Sequence, residues 1–315
     1  MDKILIDKVR FEEVSSVSEG KFQFQSPDQR QKYIDTQTLL HIKNLGLDEP
    51  WYSPKRFANT LLELLTLDLG KSHFFTSNSG SSSVRDIIME KLPYTVLLFT
   101  SSTIIVSLIG VYTGAFVAEK SGSVWDKSNS FFAVLSSSFP SWWVGIIMIF
   151  AFAFLYPIFP ARSTPLLSPS DPFYILDLLY HMMLPLITIV LVSFTAWSYI
   201  VRYFIGGILR EDFISAQRAA GLSKKRIVYS HALKNAGPPI LTAIALSLAS
   251  SFGGAIIIEA VFDWPGMGLL YYNAISAMDV PIIIGLTYMF TLIFVITIFV
   301  TDIIYAFLDP RVKVG

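Results

Sequence analysis

The sequence predicts an all-α protein, a multi-pass transmembrane helical bundle, on three observations. The 315-residue chain is 53% hydrophobic with a mean hydropathy of +0.54, yet only 15% charged, where soluble domains run nearer a quarter. Five of its apolar runs are long enough to cross a bilayer. Between the third and the fourth lies a basic, soluble-looking helical segment, residues 213–239, which is useless as core and costly as a span. On the cytoplasmic membrane surface such a segment makes a lever on which another protein can push.

The bulk numbers exclude several classes. The formal net charge is zero and the pI about 6.9, so nothing global points to nucleic acid. There is no cysteine, which removes disulfides, thiolate metal sites and a cysteine nucleophile. Residues 1–20 are charged throughout and lack the apolar core of a secretory signal.

A helix needs about 20 apolar residues to cross roughly 30 Å of hydrocarbon. The expected spans are residues 94–118, uncharged throughout; 131–156, with Pro140 and the Trp142-Trp143 pair inside; 182–209, carrying Arg202 near its end; 239–258; and 281–308, with Asp302 near its exit. Interior prolines are tolerable in a membrane because neighbouring helices and hydroxyls satisfy the freed carbonyls.

Orientation follows from Lys and Arg in the short connections. Residues 119–127 carry two, 202–234 seven and the tail two, against only Arg162 in 157–181 and none in 259–280. Eleven against one places the loops at 119–127 and 210–237 and the C-terminus in the cytoplasm, and residues 1–92 outside. The basic residues of that long segment do not contradict this, since long segments translocate largely regardless of charge. An exterior segment with neither a signal nor a span ahead of it is odd. A start site placed too late, trimming, or loss of the first helix would each explain it, and a missing upstream helix is the favoured expectation.

Within residues 1–92, a segment read as extracytoplasmic, 12–31 is polar with turn signals at Ser26-Pro27. Residues 35–47 make a short helix ending at Gly46, and 54–67 have apolar residues at helical spacing. Residues 77–83, Ser-Asn-Ser-Gly-Ser-Ser-Ser, read as a flexible linker ahead of a membrane domain over 93–310. No repeat of fixed period is visible.

The polar elbow is the most informative stretch. After Gly206-Gly207, Arg210-Glu211-Asp212 opens a helix with acidic residues at its positive end. Ala216, Ala219 and Ala220 line closely packed turns. Gly221 breaks the helix, and Ser223 is placed to cap the next one ahead of Lys224-Lys225-Arg226. Ile227, Val228 and Leu233 give that helix an apolar stripe, and Pro238-Pro239 end it. On composition alone this is equally an ordinary basic loop resting on anionic headgroups.

The order of residues adds more. Gln217-Arg218-Ala219-Ala220-Gly221-Leu222-Ser223, then His231-Ala232-Leu233-Lys234-Asn235 and a proline, resembles the coupling-loop motif of ABC importer permeases. The variant is that of the dipeptide/oligopeptide transport family, specifically its first, B-type, permease subunit. Leu45-Gly46-Leu47-Asp48-Glu49-Pro50, Asp68-Leu69-Gly70-Lys71-Ser72, Ser138-Phe139-Pro140-Ser141-Trp142-Trp143, Glu259-Ala260-Val261-Phe262-Asp263-Trp264-Pro265-Gly266-Met267-Gly268 and Leu308-Asp309-Pro310-Arg311 are similar to other stretches of that family. Three departures stand out: the family's first membrane helix is absent, Ser215 replaces the glutamate of the general importer motif, and Gly237-Pro238-Pro239 adds a proline.

The resemblance implies a type I ABC importer permease fold with five spans here instead of six. It implies a subunit of the cell membrane that pairs with a second homologous permease, two cytoplasmic ATPases, an external solute-binding protein and the surrounding lipid. Residues 213–233 would couple to an ATPase through Ala216, Gln217, Arg218, Ala219, Ala220, Gly221, Leu222, Ser223, His231 and Asn235. The cargo implied is a di- or oligopeptide or similar polar solute, with oligosaccharides or nickel carried by some relatives. ATP and Mg would sit on the partner ATPases, with no cofactor in this chain. Accordingly no Gly-x-x-x-x-Gly-Lys-Ser/Thr phosphate loop occurs, and Gly70-Lys71-Ser72 is a chance match to its end.

A polar solute crossing the bilayer needs polar or aromatic groups along its path. Ser136, Ser137 and Ser138, then Thr195, Trp197 and Ser198, then Ser247, Ser250 and Ser251 are the candidates, each equally explained by close helix packing. Arg202 and Asp302 read as structural charges near the boundary. Glu259, Phe262, Pro265, Gly266 and Gly268 form a compact turn that the resemblance assigns to an outer gate, and that folding of the loop explains as well. His41, His73, His181 and His231 are scattered without ligand spacing, and no catalytic constellation is visible. The rival reading, a stand-alone secondary transporter or channel, wants charges buried mid-span, which the spans lack.

Overall fold

The computed structural model describes residues 26–44, 53–251 and 253–308, together with residues 9, 10, 14 and 17. The stretches 45–50 and 309–311, which carry part of the family resemblance, and the tail cations lie outside the described residues. The chain divides into two compact units, Met1–Gly70 and Lys71–Gly315.

In the first unit, helix α1 spans Pro27–Asn44. It begins eight residues before the expected start. Ser26-Pro27 is a helix start, not a turn: the Ser26 hydroxyl accepts from Gln29 N–H at 3.3 Å, and proline in the first helical position loses no intrahelical bond. Helix α2, Pro54–Leu65, matches the amphipathic pattern. It closes where Thr66 N–H donates to Leu62 O and Leu67 turns left-handed at φ 56°.

The serine-rich stretch ahead of the membrane is not a flexible linker. Ser77 N–H donates to Ser81 O at 2.9 Å and Ser72 N–H to Ser82 O at 2.8 Å. The Ser81 hydroxyl holds Asp86 at 2.6 Å, and Asn78 N–H donates to Glu90 at 2.6 Å. Serines and asparagine suit such local side-chain and backbone closures. A further clasp reaches across the unit. The buried Asp279 carboxylate accepts from the Ser72 hydroxyl at 2.6 Å and from His73 and Phe74 N–H at 3.0 and 3.1 Å.

Helix α3, Val84–Glu119, starts ten residues before the apolar run. Val84, Ile87 and Ile88 are buried at one-turn spacing, so this charged stretch is an amphipathic extension of the span. Helix α6, Tyr174–Ile208, extends its span by eight residues in the same way. Its Asp177 carboxylate receives Leu166 and Leu167 N–H at 2.7 and 2.9 Å. The two long helices pack through Gly110 and Gly114 of α3. A side chain at Gly110 would overlap the Trp197 indole, and one at Gly114 would meet Ser198 O at 2.7 Å. Small residues four apart are a common seam between membrane helices.

Two expected spans are bent pairs. Helix α4, Val124–Ser138, and helix α5, Ser141–Ile149 running on as a π-helical segment Phe150–Leu155, meet at 94°. Pro140 therefore does not sit inside a continuous helix. It pushes Phe139 into the extended region, φ −104°, ψ 135°, and Phe139 stacks on Trp143 at the corner. Helix α9, Gly237–Ser251, and helix α10, Ile256–Phe262, meet at 62°, with Gly254 left-handed between them. Helix α11, Met267–Ala277, and helix α12, Val280–Leu308, complete the bundle. Three described helices are long and apolar enough to cross a membrane, and the bent pairs bring the crossings to five if each counts as one.

Candidate functional site

The elbow between α6 and α9 is built by local bonds. Helix α7, Asp212–Ala219, starts with Glu211 extended in the capping position. It ends in a Schellman closure: Gly221 N–H donates to Arg218 O at 3.0 Å and Leu222 N–H to Gln217 O at 3.2 Å, with Gly221 at φ 82°. The Ser223 hydroxyl then accepts from Arg226 N–H. From there helix α8 runs as a turn, Lys224–Arg226, a π-helical stretch, Ile227–Ala232, and a last turn, Leu233–Asn235. The helix, glycine bend, helix read from the sequence is thus present.

One side of the elbow is anchored. Val228, Ala232 and Ala236 are fully buried in a cluster with Val106, Ala115 and Ala118 of α3 and Val201 and Ile205 of α6. Gln217 Nε2 lies 3.1 Å from His231 Nδ1, which ties α7 to α8, and Asn235 Nδ2 donates to His231 O at 2.8 Å. Arg218 Nη2 returns to Leu209 O at 3.3 Å. Burial, then the Glu119 carboxylate, raises the Tyr229 phenol above its ordinary pKa, so that it stays neutral beside α3. The other side is open. Ala216, Arg218, Ala219, Ala220, Gly221 and Ser223 are exposed, with Leu222 half-buried, and nothing lies within 4 Å of a Cβ built on Gly221. This is a small-residue surface on a fixed base.

At the same end of the bundle Arg202 of α6 forms an ion pair with Asp126 of α4, whose carboxylate also accepts Gly122 N–H at 2.9 Å. Arg202 reads as a structural charge in the sequence, and the structure supplies its partner. Asp302 is exposed on α12.

The hydroxyls fall into two sets. A cleft of about 390 Å³ among α3, α4, α6 and α9 is lined by Ser136, Ser137, Trp197 and Ser247 of the predicted candidates. Ser102, Thr103, Ser107 and Ser193 join them, and sequence reading missed these. The hydroxyl run 100–103 within an aliphatic helix was the available signal. The remaining candidates lie elsewhere. Ser138 is exposed and donates to Val134 O, Ser250 is exposed, and Ser251 bonds Thr100 at 2.9 Å. Thr195 bonds Ser136 at 3.1 Å, and Ser198 is buried behind Trp197 against Gly114. Trp197 Nε1 is buried with no partner among the described residues.

The Glu259 stretch folds into a bracket around a buried carboxylate. Thr95 of α3 donates its hydroxyl to Glu259 Oε1 at 2.9 Å while accepting Met267 N–H at 2.8 Å. Gly268 and Leu269 N–H donate to Glu259 Oε2 at 2.7 and 3.2 Å. The carboxylate thereby caps the positive end of α11. A Cβ on Gly266 would collide with it, and one on Gly268 would sit 2.7 Å from Ile256 Cα. Asp263 is left-handed at φ 55°, Trp264 Nε1 donates to Tyr94 O at 2.9 Å, and Phe262 is buried against Gly145. Pro265 falls in the tight turn before Gly266. Among the described residues no group of three or more His, Asp or Glu is arranged to hold a metal.

Residues 89–314 match the family model described as binding-protein-dependent transport system inner membrane component. The chain is 34% identical over 273 residues to a putative peptide permease protein of Brucella suis, covering 86% of this chain and 82% of the relative. It is 30% identical over 290 residues to the dipeptide transport system permease protein DppB of Alkalihalophilus pseudofirmus, covering 86% and 84%. It is 28% identical over 272 residues to the oligopeptide transport system permease protein AppB of Bacillus subtilis, again covering 86% and 84%. With its membrane-crossing helices, the chain belongs to the binding-protein-dependent transport system inner membrane component family, as a non-catalytic, multi-pass permease subunit of the plasma membrane.

Proposed function

We propose that this permease forms half of the translocation pathway of an ATP-driven importer for di- or oligopeptides, since the names of the three relatives above give oligopeptides, dipeptides and peptides as cargo. Its working partners are a second homologous permease, two cytoplasmic ATPases that bind ATP and Mg, and an external solute-binding protein. The elbow over 210–237 lies in the cytoplasm with the C-terminus, and residues 1–92 lie outside, ahead of a membrane domain over 93–310. The eleven-to-one division of basic residues between short loops supports that orientation.

The observation that carries the reading is the elbow itself. Its buried stripe is fixed to α3 and α6, while Ala216, Ala219, Ala220 and Gly221 present a small face that a partner's cleft can approach closely. Gln217 and His231 hold the two arms together, and Arg218, Leu222, Ser223 and Asn235 close its corners. ATPase closure pushes this lever. The hydroxyl-lined cleft, with Ser247 and Trp197, offers polar contacts to a peptide backbone. The bracket of Glu259, Phe262, Pro265, Gly266 and Gly268 fixes the outer rim.

The chain contains no cysteine, so Ala220→Cys gives it a single thiol. In the assembled complex it should cross-link to an ATPase subunit, with a yield that changes when ATP is added. An intact complex in which no position from 216 to 223 cross-links to an ATPase, or uptake by this chain alone in liposomes, would sink the proposal.

A further inference from the structure

Helix α2 is not accounted for by any of this. Its apolar positions 57, 58, 61, 62 and 65 share one face, and the large ones are left uncovered. Phe57 is 68% exposed, Leu61 44%, Leu62 59% and Leu65 69%. Glu63 occupies the opposite side, and the sequence puts Lys55 and Arg56 in the first turn. Twelve residues rise about 18 Å, well short of the roughly 30 Å of hydrocarbon, so α2 does not cross. A short helix with a strong apolar face, low overall hydrophobicity and basic residues is the pattern of helices that lie in a membrane interface.

The chain itself holds that surface within reach. Residues 66–70 are all that separate α2 from Lys71, and five residues extend at most about 18 Å. Lys71 pairs with Ser83 at the start of α3. The ten residues Val84–Pro93 that precede the apolar part of α3 rise about 15 Å, which includes the headgroup layer of roughly 5–7 Å. A lipid surface also accepts an apolar stripe without matched pockets. From this juxtaposition we infer that α2 is an interfacial anchor, its Phe57, Leu61, Leu62 and Leu65 face seated in the lipid leaflet from which α3 enters the membrane. The inference holds whichever side of the membrane that is, and so does not depend on the orientation proposed above.

The absence of cysteine makes the test direct. The full chain, in its assembled complex, is placed in nanodiscs of phosphatidylethanolamine and phosphatidylglycerol with brominated acyl chains. Single variants L61C, L65C and E63C carry a bimane probe. Bromine should quench the probe several-fold more strongly at 61 and 65 than at 63. A probe on F57C should lose that quenching when Leu61→Glu and Leu65→Glu are added, with the complex still intact. Equal quenching at all three positions, no quenching at any, or shielding of 61 and 65 that appears only when a soluble partner or a second complex binds would overturn the assignment.

Discussion

Gly221 separates two accounts of the elbow, one resting on backbone shape and one on the smallness of its face. It sits at φ 82° with nothing within 4 Å of a Cβ placed on it. Any L-residue there carries strain, and its Cβ meets no neighbour within 4 Å. Ordinary residues in the left-handed region cost roughly 1–2 kcal/mol, which shifts the ratio of bent to straightened elbow about 5–30-fold. Asparagine tolerates that region far better than alanine, and a β-branched residue tolerates it worst. Asparagine and valine are similar in size, so the pair varies strain at nearly constant bulk. In proteoliposomes carrying the assembled importer with its permease, ATPase and binding-protein components, solute imported per ATP hydrolysed should fall in the order Gly221, Gly221→Asn, Gly221→Ala, Gly221→Val. Membrane insertion should be unchanged throughout. If alanine couples better than asparagine, side-chain size decides the outcome and the bend argument fails.

Two further predictions concern buried polar links. Thr95→Val strips a donor from Glu259 and an acceptor from Met267 N–H; leaving buried partners unmatched costs about 1–3 kcal/mol. Its thermal midpoint in detergent should drop by several degrees, with Glu259→Gln in the same direction, and an unmoved midpoint for both would refute the bracket as an anchor. Asp126→Asn strands Arg202, whose side chain is 30% exposed against 6% for Asp126. The loss should fall near the lower end of the roughly 3–5 kcal/mol for a broken buried pair, because Arg202 keeps some water. The double variant Asp126→Ala with Arg202→Ala should denature closer to the parent than either single change, and simple additivity of the two would count against the pair.

What the sequence made legible was whatever depends on neighbours along the chain. The elbow is one case: its bend is set by Gly221, Leu222 and Ser223 bonding to residues within five positions, so residue order is enough to place it. Apolar runs are another, since bilayer thickness dictates their length. The start of α3 was misplaced because charges at 85, 86, 90 and 91 look like the end of a span, whereas Val84, Ile87 and Ile88 continue the helix outside it. The α4–α5 corner was legible in principle, because a residue before proline avoids the helical region, but tolerance of proline in membrane helices argued the other way. The Glu259 bracket was opaque for another reason. Its partner Thr95 belongs to a different element and lies 164 positions from Glu259. Composition at one end of such a bond says nothing about the other.

The same distinction bears on how, under the proposed function, an impulse at the elbow would reach the cleft. Val228, Ala232 and Ala236 share one buried cluster with Val106 and Trp197, and those two residues also wall the cleft. Trp197 lies against Gly110, and Val201 against Gly114, so tightly that no added methyl fits. Helices α3 and α6 are thus locked along the seam directly above the elbow. A close-packed seam passes strain on instead of absorbing it. Under the proposed function, a push on α8 would therefore move α3 and α6 as one piece, and the cleft would change shape where that piece meets α4 and α9. Those contacts are more mixed: the hydroxyl pairs Ser136 with Thr195 and Thr100 with Ser251, the ion pair of Arg202 with Asp126, and Ile240 of α9 in the shared buried cluster. Bulky residues at Gly110 or Gly114 should consequently damage coupling more than loss of either hydroxyl pair.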